Sequence, residues 1–203
     1  MKNRNIEEFL AKRNGGQLAQ TITTEEGLEA VELLAKVADE NGVDFMIAGG
    51  LAVQLYGFTR ATTDADVFAS DVLPLDAFRK LSFGGESYNV QIASGKVIVV
   101  DWIVRNDEQQ DVYEASLIQS SLLTEELHII SPEWLVIIKQ LAGRGKDELD
   151  WMWLLRQDGL INREKVRKLL KELFGRAAFA IVDEFNSNCM YADFMKAKDE
   201  KGE

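Results

Sequence analysis

Two aspartates inside an apolar run constrain the fold of this chain more than any other feature. In the stretch DADVFA, Asp64 and Asp66 flank an alanine directly before Val67 and Phe68. Alternate residues of a strand point to the same face of a sheet, so the two carboxylates are predicted to project together. Because like charges a few ångströms apart repel each other, a positive group or ion is expected between them.

A third carboxylate, Asp101, interrupts the apolar run KVIVVDWIVR, which is typical of a central strand. Burying such a group is costly unless it is paired or bound to a metal. Three aspartates on neighbouring strands offer only hard oxygen ligands, which suit Mg²⁺ or Mn²⁺ better than zinc. Since Mg²⁺ is usually bound through a few carboxylates together with substrate phosphates, the set predicts a phosphate-bearing substrate.

A glycine pair, Gly49 and Gly50, separates the apolar run VDFMIA from the helical pattern LAVQLYGF. A glycine turn that leads into a helix lets backbone N–H groups approach an anion, and the helix dipole favours negative charge there. The pair is therefore a candidate phosphate site, and an ordinary tight turn is the alternative.

The pattern of predicted elements changes near Ser131. Residues 1–130 combine helical patterns with short strand-like runs, which predicts an α/β (α+β) domain with a small mixed sheet and flanking helices. Residues 131–203 carry helical patterns only and are predicted to form a C-terminal helical region. In the first part, helices are predicted over 6–13, about 24–40, 51–57 and 73–81, and strands over 43–48, 64–70, 88–94, 96–105 and 127–131.

Composition excludes several other functions. The formal charge of -11 disfavours a broad basic surface for nucleic acid, since such binding requires many phosphate contacts. The single cysteine, Cys189, and the single histidine, His128, exclude an intramolecular disulfide and a zinc site rich in either residue. No apolar run approaches the roughly 18 residues that a membrane span requires, so a cytoplasmic protein without a membrane anchor is expected.

The order of these motifs resembles the nucleotidyltransferase-fold superfamily, in particular minimal nucleotidyltransferase domains and the AbiEii-like toxins of toxin–antitoxin systems. Their pattern is GG-x-A…G-x-x-R-x-T-x-D-x-D, and the matching residues here are Gly49, Gly50, Ala52, Gly57, Arg60, Thr62, Asp64 and Asp66. The match covers about residues 45–68, whereas Asp101 and the helical region match more loosely. Many members carry Gly-Ser at the turn where this chain has Gly50, although the Gly-Gly form also occurs.

The resemblance implies a metal-dependent transferase that moves an NMP from an NTP to a hydroxyl acceptor. Asp64, Asp66 and Asp101 would be catalytic and would hold Mg²⁺ or Mn²⁺, with Asp101 also helping to deprotonate the acceptor. Gly49 and Gly50 would hold the triphosphate. The acceptor would be an RNA such as a tRNA end, a protein or a small molecule, and a toxin of this type would have an antitoxin protein as its partner.

Three further residues are candidates for nucleotide binding. Arg60 is placed to pair with a carboxylate or to reach a phosphate. Thr62 either contacts the nucleotide or only fills the entry to its strand. Lys139 stands among apolar residues, so it must extend to solvent or find an anion.

Similar proteins carry a lysine and a later aspartate in such helices, with the lysine on the nucleotide phosphates. Lys139 with Asp147 or Asp150 would match this arrangement. A solvated lysine, with the aspartate paired to a neighbour on its own helix, is the alternative.

Two other hypotheses compete with catalysis. The chain could be a non-catalytic nucleotide- or protein-binding module of the same fold. It could also be an interaction domain in which Asp64 and Asp66 face solvent on an edge strand.

Overall fold

The computed structural model describes residues 20–201, which form seven α-helices and seven strands. The helices are α1 (Thr24–Asn41), α2 (Gly49–Leu55), α3 (Gln110–Ile118), α4 (Pro132–Ala142), α5 (Gly145–Arg156), α6 (Arg163–Phe174) and α7 (Ala178–Lys201). The strands are β1 (Phe45–Ala48), β2 (Asp64–Ala69), β3 (Arg79–Lys80), β4 (Glu86–Gln91), β5 (Val97–Ile103), β6 (Ser121–Leu122) and β7 (His128–Ile129). The predicted helix over 6–13 lies outside the described residues.

The strands form one mixed sheet in the order β3-β4-β5-β2-β1-β7-β6. Strand β2 pairs with β1 in the antiparallel direction and with β5 in the parallel direction. The small mixed sheet with flanking helices that the sequence predicts is therefore confirmed. Because β2 lies inside the sheet, the hypothesis that Asp64 and Asp66 stand on an edge strand is wrong.

Helix α1 covers the face of the sheet opposite to these aspartates, and its limits follow from local sequence. Thr23 and Glu26 form a capping box at its start, and Gly42 ends it in the left-handed conformation with φ 65°. Its buried side includes Ala30, Val31 and Leu34. The helix predicted over about 24–40 is thus confirmed.

Helices alone follow Ser131, as the sequence predicts. Pro132 starts α4, and every residue from Glu133 to Lys139 is buried. The helical region packs on the segment after α2, where the ring of Trp153 stacks on Phe58 at 5.1 Å. The division into two domains, residues 1–130 and 131–203, stays a prediction.

One predicted helix, over 73–81, is wrong. This segment forms turns and then β3, because its backbone bonds to β4: Phe78 N–H donates to the Ser87 carbonyl at 2.8 Å. The turn that follows lies very close to β5, since a Cβ on Gly85 would come within 2.2 Å of the Trp102 carbonyl oxygen. These cross-strand contacts outweigh a local helical pattern, whose stability depends mainly on tertiary packing.

Among residues 20–201, no helix is long and apolar enough to cross a membrane.

Candidate functional site

A single row of side chains crosses five neighbouring strands on the face opposite α1. The register pairs Ala48 with Asp66, Asp66 with Asp101, Asp101 with Ser87, and Ser87 with Arg79. Directly paired residues on adjacent strands project to the same face. Asp64 shares this face, since it lies two residues before Asp66. The sheet therefore brings all three predicted carboxylates to one surface.

The carboxylates of this surface affect one another. Burial, and then the charges of Asp64 and Asp101, raise the pKa of Asp66 to about 6. The positive charges of Lys139 and Lys146 act in the opposite direction. The repulsion expected from the sequence is thus present in the fold, and a cation placed among the carboxylates would relieve it.

Asp101 has partners that the sequence analysis missed. Its Oδ1 accepts a hydrogen bond from Ser87 Oγ at 2.5 Å, and Arg79 Nη2 lies 3.1 and 3.2 Å from its two oxygens. Arg79 Nε also donates to Ser87 Oγ at 2.9 Å. Within the described part of the chain, no three His, Cys, Asp or Glu side chains are grouped closely enough to hold a metal ion. Asp101 faces Arg79 in this structure, and its role as a metal ligand beside Asp64 and Asp66 stays a prediction.

The glycine pair allows other groups to approach closely. Gly49 has φ 57°, and a Cβ built there would lie 1.7 Å from Asp66 Oδ2. A Cβ on Gly50 would lie 2.7 Å from Thr62 Oγ1 and 3.0 Å from Arg60 Nη2. The start of α2 is consequently in contact with the carboxylate of Asp66, a packing that larger residues would prevent.

Thr62 and Arg60 are both engaged within the protein. Thr62 Oγ1 lies 3.2 Å from the carbonyl oxygen of Asp64 and 3.3 Å from its Oδ1. Arg60 makes a two-pronged ion pair with Asp150, with Nε 2.5 Å from Oδ1 and Nη2 2.8 Å from Oδ2. Arg60 was expected to pair with a carboxylate or to reach a phosphate, and in the structure it pairs with the carboxylate of Asp150.

Lys139 is only 3% exposed, so the alternative of a solvated lysine is wrong. Its Nζ lies 2.8 Å from Asp147 Oδ1 and 2.8 Å from Asp150 Oδ2, so both candidate aspartates are its partners. Arg144 Nε adds a 2.5 Å contact to Asp147. We call these side chains the ion-pair network: Arg60, Lys139, Arg144, Asp147 and Asp150. With three cations and two carboxylates, it carries one net positive charge close to Asp66.

A cleft of about 860 Å³ lies where β2 and β5 end, and Asp64, Asp66 and Asp101 are not among the residues that line it. Phe68, two residues after Asp66 on the same face, lines it together with Tyr113, whose ring centroid lies 4.3 Å away. Acidic side chains outnumber basic ones along its wall. His128 also lines the cleft, where its Nδ1 lies 3.1 Å from Ser120 Oγ.

Comparison with known proteins supports the fold. No family model and no curated protein matches the sequence. A solved structure that is similar is that of an antigenic nucleotidyltransferase-like protein from Paracoccidioides brasiliensis, with a TM-score of 0.50, 16% identity, and coverage of 84% of this chain and 95% of that chain. The chain therefore has a nucleotidyltransferase-like fold. The finer resemblance to AbiEii-like toxins stays a prediction.

The close packing at Gly49 leads to a stability prediction. Gly49→Ala must place a methyl group against Asp66 at positive φ, and we expect a loss of about 3 kcal/mol in the free energy of unfolding. Gly42→Ala is the matched control, because Gly42 has φ 65° and nothing within 4 Å of the added Cβ. It should cost only about 1 kcal/mol. Equal losses in urea denaturation would contradict the packing role of Gly49.

The raised pKa of Asp66 predicts a pH effect on the metal-free protein. Its folded pKa, about 6, exceeds its ordinary value of 3.8, so its protonation adds stability that is lost as the pH rises through 6. Asp66→Asn should therefore raise the free energy of unfolding at pH 8 by on the order of 2 kcal/mol, and much less at pH 4. Denaturation in the presence of a chelator measures this. The exposed Asp183→Asn should leave the pH profile unchanged.

Asp147 predicts the opposite dependence. Burial alone would raise the pKa of Asp147, but hydrogen bonds from Arg144 and Lys139 outweigh it and hold the pKa below its ordinary value. Its ionised form stabilises the fold above about pH 4, and this contribution is lost as the pH falls further. We expect Asp147→Asn to cost about 3 kcal/mol at pH 7. The difference from wild type should shrink below pH 4, and a constant difference would contradict the assignment.

Proposed function

We propose that this chain is a metal-dependent nucleotidyltransferase that moves an NMP from an NTP to a hydroxyl acceptor. The observation that carries the proposal is the register of β2 against β1 and β5, which places Asp64, Asp66 and Asp101 on one face beside the glycine turn. Most single features of this set are common in proteins. Their convergence at one point of a nucleotidyltransferase-like fold favours this reaction class.

Asp64 and Asp66 are the residues that would hold Mg²⁺ or Mn²⁺. Their oxygens are the ligands these ions prefer, and Mg²⁺ is commonly held by one or two carboxylates together with substrate phosphates. Burial and the charges of Asp64 and Asp101 raise the pKa of Asp66, and a cation at this place would favour its ionised form. Asp101, the neighbour of Asp66 in the register, would join once its contact with Arg79 is broken. A bound metal would stabilise the negative charge that develops on the transferred phosphoryl group.

The nucleotide would lie between the glycine turn and the ion-pair network. Lys139 has three N–H donors, and two face Asp147 and Asp150, which leaves one for a phosphate oxygen. Gly49 and Gly50 have no side chains of their own, and the N–H of Gly50, which now lies 3.4 Å from Asp66 Oδ2, would turn to a phosphate. The contacts of Arg60 and Thr62 favour a supporting role for these residues, since they hold Asp150 and Asp64. Their direct contact with the nucleotide stays a prediction.

The acceptor would approach along the cleft lined by Phe68 and Tyr113. Asp101 would accept the proton of the attacking hydroxyl, as a carboxylate within hydrogen-bond reach can. The acidic lining and the charge of -11 oppose a long RNA tract. An RNA end, a protein hydroxyl or a small molecule fits better. The most specific version of this proposal is that the chain is a toxin with an antitoxin protein as its partner.

A second candidate is a nucleotide-binding module of the same fold without turnover. The pairing of Asp101 with Arg79 and Ser87 favours it, because this carboxylate is already neutralised within the protein. The two candidates share nucleotide binding and differ in transfer.

Calorimetry tests the proposal with non-hydrolysable analogues of the four NTPs, each with and without Mn²⁺. We expect Mn²⁺-dependent binding by the wild type and a loss of at least tenfold in affinity in Asp64→Asn. Asp183→Asn on α7 is the charge-matched control and should bind like the wild type. Absence of binding with every nucleotide would overturn both candidates.

Transfer separates the two candidates. A nucleotide labelled at the α-phosphate should label an acceptor from the host extract in the presence of Mn²⁺ and release pyrophosphate. The Asp101→Asn variant should not label the acceptor, although it should still bind the nucleotide. Binding without any pyrophosphate release would favour the module.

A further inference from the structure

Arg79 is the cationic end of the row that crosses the sheet. It lies on β3, a two-residue edge strand with both residues exposed, and its side chain is 49% exposed. Nevertheless its guanidinium reaches inward across Ser87 to the carboxylate of Asp101. Neither the predicted site nor the ion-pair network accounts for this arginine.

The contact between Arg79 and Asp101 neutralises a buried carboxylate in the metal-free protein. Asp101 is only 8% exposed, and an ionised carboxylate at such a position is costly without a partner. Ser87 occupies Oδ1, and Arg79 faces both Oδ1 and Oδ2. A cation that used Asp101 as a ligand would therefore have to take over an oxygen that Arg79 now contacts.

We propose that Arg79 is an internal counter-ion of Asp101 that competes with a divalent cation and is displaced when the cation binds. The inference rests on the proposed function in that it takes the three carboxylates as a metal site. It adds a positioning residue that sets the metal affinity of this site and keeps Asp101 neutralised until a cation arrives.

Because Arg79 lies on an edge strand, its replacement by a cation at Asp101 should cost little free energy. Arg79 is half-exposed, so its guanidinium can move into water with little desolvation cost, and partly exposed ion pairs contribute modestly to stability. Ser87 is fully buried and remains beside Asp101 as a hydrogen-bond donor. Asp101 therefore keeps one fixed partner while it exchanges the other.

Mn²⁺ binding without nucleotide tests the proposal, measured by calorimetry on wild type and Arg79→Gln. We expect Arg79→Gln to bind Mn²⁺ about five- to tenfold more tightly, because the competitor is gone. Lys80→Gln is the matched control, since it removes the same charge from the next residue, which points to the opposite face of β3. It should bind like the wild type. Arg79→Lys, which keeps the charge, should fall between the two.

A double variant shows whether the effect acts through Asp101. In an Asp101→Asn background, Arg79→Gln should no longer change the Mn²⁺ affinity. Without Mn²⁺, Arg79→Gln alone should lower the thermal midpoint, and addition of Mn²⁺ should raise that midpoint by more than in the wild type.

The outcomes separate this proposal from the proposed function. Mn²⁺ binding of equal strength in wild type, Arg79→Gln and Lys80→Gln would overturn the role of Arg79 and leave the metal site intact. Equal tightening by Arg79→Gln and Lys80→Gln would reduce the effect to general electrostatics and also overturn it. Absence of Mn²⁺ binding in every variant would overturn both proposals.

Discussion

The register of β2 between β1 and β5 is the constraint on which the rest of this structure depends. It sets Asp66 beside Asp101 and places Asp66 opposite Ala48, the last residue before the glycine turn. A shift of β2 by one residue would turn Asp64 and Asp66 into the core under α1 and bring Val67 to the open face. In β2 and β5, successive residues alternate between the two faces of the sheet, and the aspartates share one of them. The same alternation therefore builds the core on one face and the candidate site on the other.

This arrangement gathers negative charge, and the protein balances it from two sides. On one side the ion-pair network brings Lys139 towards Asp66, held by two aspartates that are fully buried. On the other side Arg79 covers Asp101. Within the described residues neither cation pairs with Asp64 or Asp66, and burial together with the charges of Asp64 and Asp101 raises the pKa of Asp66. The fold therefore accommodates its carboxylates without a metal, and the negative charge gathered at Asp66 is what the proposed cation would neutralise.

Local pattern was sufficient to predict the carboxylates, the glycine turn and most helices, because alternation and capping act within a few residues. The partners of Lys139 were narrowed to Asp147 and Asp150 by resemblance, and only packing shows that both contact it. Arg79 was missed because the helical pattern of 73–81 concealed an edge strand. Ser87 was missed because a two-residue turn at Ser94 and Gly95 would pair Asp101 with Tyr88. In the structure Ile92 bonds to Lys96 around a three-residue loop, and this register pairs Asp101 with Ser87.

The ion-pair network also joins the helical region to the sheet. Arg60 comes from the loop before β2, whereas its partner Asp150 and the neighbouring Lys139 come from α5 and α4. Removing one member would leave a buried charge unpaired, so the loop and the helices are energetically coupled. Such coupling fixes the side chains around Asp66 in advance, and charge stabilisation in the proposed transfer reaction would require a preorganised polar environment of this kind. Arg79, by contrast, is held from the exposed edge of the sheet, which suits the displacement proposed for it.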